Sequence, residues 1–186
     1  MSALTVLILG GYGTFGGRLA TLLVDEARLK LIIAGRSRAK AQAFCDTLGA
    51  KGETLALAFD REGDVERQLR AVTPDIVVDA SGPFQDYDDP YRVVRACLAC
   101  GANYLDLADG SDFVKGVAQF DAQAKAHGLF VLSGELVSGV DRRGGADAGV
   151  WAIACRYGRG RHRAVALRGR RTQCDPRDRE LFRPAD

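Results

Sequence analysis

The sequence predicts an α/β fold built on one doubly wound parallel sheet. Three observations predict it. Over residues 1–134, short apolar runs alternate with amphipathic stretches six times. The runs are continuously apolar, which suits strands buried on both faces. A cluster of glycines joins the first run to the first amphipathic stretch, where such sheets turn a strand sharply into a helix.

The elements follow in order. Thr5–Gly10 is short, β-branched and ends in glycine, the pattern of a buried strand. Phe15, Leu19, Leu22 and Leu23 then recur at i, i+4, i+7 and i+8 and predict the buried face of a helix. Leu31–Ala34 is a second strand, and Ala39–Leu48 a second helix stopped by Gly49. Thr54–Phe59 is a third strand; Val65, Leu69 and Val72 mark a third helix that Pro74 ends. Ile76–Val78 is a fourth strand, followed by a helix lined by Val93, Val94, Cys97 and Leu98 and closed by Gly101. Tyr104–Leu107 is a fifth strand. Phe113, Val117, Phe120 and Ala124 line a fifth helix ended by Gly128, and Leu129–Leu132 is a sixth strand. Right-handed crossovers place the helices on both faces of the sheet.

Composition narrows the function classes. The 186 residues are 47% hydrophobic, enough for a core, and the formal charge of +2 is too small to argue for a nucleic-acid or membrane partner. No apolar run approaches the ~18 residues of a spanning helix. The first apolar stretch begins almost at Met1 with no basic segment before it, which argues against a secretory signal. Five irregularly spaced cysteines read as reduced thiols, hence a cytoplasmic location.

The glycines carry the chemistry. Gly11-Tyr12-Gly13-Thr14-Phe15-Gly16 is a G-x-G-x-x-G placed after a strand and opening a helix, the context a dinucleotide fingerprint requires. The first glycine permits a tight turn, the second admits a pyrophosphate to the backbone, and the third lets helix pack on strand. The fold expected is therefore of the Rossmann type. An acidic residue roughly 20 positions on, at the end of the second strand, would bond a ribose 2′-hydroxyl and select NAD. Here Gly35 is followed by Arg36, Ser37 and Arg38, with no carboxylate. A guanidinium fork and a hydroxyl suit a 2′-phosphate, so the cofactor expected is NADP.

Other residues reach the same edge of the sheet. The fourth strand runs into Ser81-Gly82-Pro83, a turn whose glycine lets backbone approach a cofactor. Asp79 on that strand reads as a structural cap. Asp60, ending the third strand, suits either the adenine or the N-cap of the next helix. Asp106 and Asp109 lie at the end of the fifth strand, where two carboxylates suit a substrate contact, with helix capping by Asp109 or Ser111 the expectation. Cys97 and Cys100 form a C-x-x-C, but Cys97 shares the apolar helix face and no second pair has metal-like spacing, so they read as core cysteines. His127 precedes Gly128 at a helix end, a structural position. No metal site and no catalytic acid or base is assigned, and no Tyr-x-x-x-Lys occurs.

"VLILGGYGTFGGRLA", "IIAGRS", "PDIVVDASGPFQ" and "ACGANYLDLADG", in that order and spacing, resemble the NADP-binding domain of saccharopine dehydrogenase-like proteins over about residues 3–134. The resemblance implies that Gly11, Gly13 and Gly16 hold the pyrophosphate. It implies that Arg36 and Ser37 select the cofactor and that Ser81, Gly82 and Pro83 lie on the nicotinamide side. It also implies an oxidoreductase; family enzymes make or cleave a C–N bond between lysine and an oxo acid by hydride transfer.

The resemblance stops at about Gly134. Residues 1–134, the expected NADP-binding domain, carry 14 Lys and Arg against 17 Asp and Glu, a net of −3; residues 135–186 carry 12 arginines against 7 acids and no lysine, a net of +5. The family continues into a Ser/Pro-containing turn and a substrate domain, and this tail resembles neither. "ELVSGVDRR" can be encoded so that a one-nucleotide shift reads "SSCPALTAA", a turn of the family kind. The tail is therefore expected to be frameshifted or truncated, with little fixed structure from about Gly158. The function expected is the cofactor domain of an NADP-dependent oxidoreductase cut before its substrate domain. Apolar surface left by a missing domain could drive homo-oligomer formation. The alternative is a non-catalytic nucleotide-sensing or partner-binding module that uses the basic tail as its contact surface.

Overall fold

A computed structural model describes residues 3–49 and 52–134, with Gln85 described in backbone only, together with the backbone of 151–157 and 161–167. Six strands form one parallel sheet in the order β3-β2-β1-β4-β5-β6. They are β1 (Leu4–Leu9), β2 (Leu29–Gly35), β3 (Glu53–Ala58), β4 (Ile76–Asp79), β5 (Asn103–Asp106) and β6 (Val131–Leu132). The helices between them are α1 (Thr14–Leu23), α2 (Arg38–Leu48), α3 (Val65–Val72), α4 (Arg92–Cys100), α5 (Ser111–Gly116) and α6 (Asp121–Ala126). The chain reverses its winding between β1 and β4, so a topological switch point opens at the carboxyl ends of these two strands.

Strand pleating divides the core in two. Val6, Ile8, Leu31 and Ile33 face α1 and α2 and pack on Leu19, Ala20, Leu23, Ala41 and Cys45. Leu7, Leu9, Ile32 and Val77 face the other way, onto Leu69 of α3 and Val93, Val94 and Cys97 of α4. Both faces are dry, which is why the strands are continuously apolar. All six strands and the ends at Gly49, Gly101 and Gly128 lie where the sequence places them, the three glycines at positive φ.

Two helices differ from expectation. On α1 the buried residues are Gly16, Gly17, Leu19, Ala20 and Leu23, while Phe15 is 65% and Leu22 37% exposed. The helix meets the sheet through its glycines, which brings the axis close and rotates Phe15 and Leu22 outward. The fifth helix is two short ones, α5 and α6, joined by a 3-10 turn at Val117–Phe120. A Cβ at Gly116 would lie 1.9 Å from the Tyr91 hydroxyl, so Gly116 lets Tyr91 reach the helix at the break. Phe113, Val117, Phe120 and Ala124 are nonetheless all buried on one side.

In the tail, β7 (Trp151–Tyr157) and β8 (Arg161–Leu167) pair antiparallel as a separate two-stranded ribbon. The sequence reading places no strand in this part of the chain. The rest of the expectation for 135–186 lies outside the described residues.

Candidate dinucleotide site

The turn after β1 is built by close backbone contacts. Gly10 carries a φ of +69°, and a Cβ there would lie 2.7 Å from the carbonyl oxygen of Ala80, just past β4. The left-handed residue is thus Gly10, one position before the motif's first glycine. Gly11 donates its N–H to Ala34 O (3.0 Å) and Gly13 donates to Gly10 O (2.8 Å). A Cβ at Gly16 would lie 2.4 Å from Gly10 O, well inside contact distance, so α1 can begin this close to β1 only with glycine there.

That seat leaves the start of α1 bare. Its N-cap, Gly13, has no side chain to offer, and no acidic residue lies in the first turn. The N–H groups of Thr14, Phe15 and Gly16 donate to nothing among the described residues. Thr14 and Phe15 are exposed. Unpaired N–H groups at the positive end of the helix dipole form an anion site.

A second helix start lies at the end of β2. Ser37 is the N-cap of α2, its Oγ accepting from Lys40 N–H at 3.3 Å. Arg36, Arg38 and Lys40 surround it, all exposed, and none forms an ion pair among the described residues. Cations in a first turn oppose the helix dipole at a cost of about 0.3–1 kcal/mol each, and α2 has no acid there to offset them. Tyr12 joins the two helix starts. Its hydroxyl accepts the Ser37 N–H at 3.1 Å, and its ring lies over Gly35, where a Cβ would come within 2.6 Å.

At the end of β4, Ser81 donates both N–H and hydroxyl to Asp79 Oδ1. Gly82 and Pro83 are exposed beyond it. Asp79 is fully buried and paired with Arg61, Nε to Oδ2 at 3.2 Å, a structural role as its sequence position suggests. Arg61 has no one-dimensional signature: its partner is 18 residues away and an arginine beyond a strand reads as solvated. Asp60 is exposed and closes its own turn by accepting from Glu62 N–H at 3.0 Å. The N-cap of α3 is instead Asp64, which accepts from Arg67 N–H at 3.0 Å. The cap expected for α5 from Asp109 or Ser111 is also not formed; its N-cap is Gly110, without a side-chain bond. Cys97 lies in the core, and burial pushes its thiol well above its ordinary range. His127 is the C-cap of α6, its backbone N–H donating to Gln123 O and Ala124 O, while its Nδ1 lies 3.3 Å from Leu98 O of α4.

These contacts bring Gly10–Gly16, Arg36–Arg38 and Ser81–Pro83 to one edge of the sheet. The family model for the saccharopine dehydrogenase NADP binding domain matches residues 6–132. The chain belongs to that family. NADP is accordingly the cofactor of this domain, and the bare start of α1 with the unpaired cations at α2 fits its pyrophosphate and 2′-phosphate. No curated protein sequence matches this chain. Saccharopine dehydrogenase (L-Glu forming) from Saccharomyces cerevisiae is similar in fold, with a TM-score of 0.52 at 18% identity over 72% of this chain. The match covers 27% of the yeast enzyme, so this chain spans only about a quarter of its length. RhlG from Pseudomonas aeruginosa, solved as an NADP active-site complex, aligns with a TM-score of 0.54 at 14% identity over 72% of this chain and 71% of its own. A short-chain type dehydrogenase/reductase from Mycobacterium marinum gives 0.56 at 18% identity over 71% and 73%. At these identities the likeness is one of fold. No described helix is long and apolar enough to cross a membrane.

Asp106 is the unbalanced group near this edge. It is fully buried beside Asp79 in the β4–β5 register. Its Oδ1 accepts from Ala108 N–H, Ser133 Oγ and Gly134 N–H, each at 3.0 Å, while Oδ2 has no partner among the described residues. Burial pushes its carboxyl above the ordinary value of 3.8, against the pull of those hydrogen bonds. A carboxyl raised by folding favours the folded state while protonated and withdraws stability as pH rises from 3.8 through the raised value. Asp106→Asn keeps an acceptor for the three donors and removes that loss. We expect urea unfolding to show the variant at least as stable as wild type at neutral pH, with a flatter stability profile above pH 3.8. A variant clearly less stable at neutral pH would show that the fold relies on the ionised carboxylate.

Proposed function

We propose that Gly11, Tyr12, Gly13, Thr14, Phe15 and Gly16 hold the NADP pyrophosphate at the start of α1, and that Arg36, with Ser37 and Arg38, takes the 2′-phosphate. Asp60 stands on the adenine side, and Ser81, Gly82 and Pro83 on the nicotinamide side. The observation that carries this reading is the pair of helix starts without acidic residues, one with three undonated N–H groups and one ringed by unpaired cations. NADP, when bound, supplies the hydride acceptor, or as NADPH the donor, of an oxidoreductase. The chain's own residues bind and orient it.

On this reading residues 1–134 are the cofactor domain of a saccharopine dehydrogenase-like oxidoreductase, and 135–186 follow in a frame other than the family's. The lysine-free, arginine-rich composition of 135–186 supports the shifted frame. Three free cysteines among the described residues support a cytoplasmic setting. The reading as a partner-binding module rests on the net +5 of the tail.

The test is calorimetric titration with NADPH and NADH, repeated on Arg36→Ala. A charge-assisted hydrogen bond contributes about 1.5–3 kcal/mol, roughly 10- to 150-fold. NADPH should bind tighter by a factor in that range, and the substitution should remove most of the preference. Equal affinities in the wild type would overturn the assignment of Arg36. The shifted frame is checked on the coding DNA: a one-nucleotide shift near codon 135 should restore a Ser/Pro turn, and a sequence with no family-like continuation in any frame would sink it.

A further inference from the structure

One buried arginine governs the carboxyl end of β4. Arg61, in the turn after β3, is only 7% exposed. A guanidinium so far from water needs partners. Nε donates to Asp79 Oδ2 at 3.2 Å and Nη2 to Pro90 O at 3.0 Å. The group lies 3.8 Å from the Tyr87 ring centroid and 5.4 Å from that of Phe84. Every one of these partners belongs to the single segment 79–90.

Two of them hold Ser81. Asp79 Oδ1 accepts from the Ser81 N–H and hydroxyl, and the Tyr87 hydroxyl donates to Ser81 O at 2.7 Å. Ser81 is thus fixed by three hydrogen bonds from two residues that both rest on Arg61. Apolar side chains would close this gap with a smaller desolvation cost. What a guanidinium adds is direction: two donors and two ring contacts fix a loop more narrowly than apolar packing does. The loop so fixed faces the glycine turn across the switch point, where a Cβ on Gly10 would lie 2.7 Å from Ala80 O and 3.1 Å from Ser81 Cα.

We propose that Arg61 is a positioning residue for the dinucleotide, holding the Ser81–Pro83 turn at the spacing from the glycine turn that the nicotinamide half requires. This rests on the reading that Ser81–Pro83 meets the cofactor. The role is remote: Arg61 acts through Asp79 and Tyr87.

The full chain is titrated with two ligands. Adenosine 2′,5′-bisphosphate carries the 2′-phosphate read at α2 and a 5′-phosphate for the start of α1, but no nicotinamide. NADPH carries the nicotinamide, whose fluorescence reports the ring's surroundings. Arg61→Met alone leaves Asp79 buried without its cation, so the Arg61→Met/Asp79→Asn pair is used, with both charges removed. Tyr87→Phe is the milder variant and removes only the tether to Ser81. Circular dichroism melts establish folding. Folded variants should bind the bisphosphate within about twofold of wild type. They should bind NADPH about tenfold more weakly for the double variant and about threefold for Tyr87→Phe, the scale of one or two lost hydrogen bonds, with the bound fluorescence returning toward that of free NADPH. Folded variants with wild-type NADPH affinity and fluorescence would overturn the proposal. So would an equal loss for both ligands, which would make Arg61 a support of the fold as a whole. A wild-type chain that binds neither ligand would overturn the cofactor assignment itself and this inference with it.

Discussion

The carboxyl edge of this domain depends on one contact of backbone with backbone. Helix α1 starts directly off β1 because residue 16 has no side chain; a Cβ there would stand 2.4 Å from Gly10 O. The same compactness brings Gly10 within reach of Ala80 and so closes the switch point between β1 and β4. At the start of the helix seated this way, the N–H groups of Thr14, Phe15 and Gly16 have no acceptor among the described residues. A larger residue at position 16 would lift the helix, open the turn and withdraw those donors together. Structure and binding capacity share one steric requirement here.

Much of the fold was legible. Continuous apolar runs mark strands dry on both faces, and glycine and proline mark where each helix must stop. The buried face of α1 was not, because a template that counts large apolar side chains overlooks Gly16 and Gly17 and recruits Phe15 and Leu22 instead. The break between α5 and α6 had a visible sign in Gly116, but its cause, the Tyr91 hydroxyl, comes from 25 residues earlier. At the site, the glycine motif and the arginines after β2 were legible because their spacing is local. Three features were not: the left-handed turn at Gly10, the Tyr12–Ser37 link, and Arg61, whose partners are assembled only by tertiary packing.

Electrostatics ties these parts together. Residues 1–134 are net acidic at −3, yet Arg36, Arg38 and Lys40 gather at one helix start without acidic partners. That arrangement costs helix stability, a cost that a bound anion would offset. Deeper in, Asp79 and Asp106 are neighbours in register with different fates. Asp79 has Arg61 against it and fixes the Ser81 turn, while Asp106 has hydrogen-bond donors alone and joins β5 to the chain after β6.

The central claim is that the bare start of α1, the arginines at α2 and the Ser81–Pro83 turn form one NADP site. An amide-resolved NMR titration of isotope-labelled chain with NADP tests it most directly. The account predicts that the largest shifts fall together on Gly11–Gly16, Arg36–Arg38 and Ser81–Gly82, with one common dissociation constant. Shifts spread over other surfaces, or confined to one of the three segments, would contradict it.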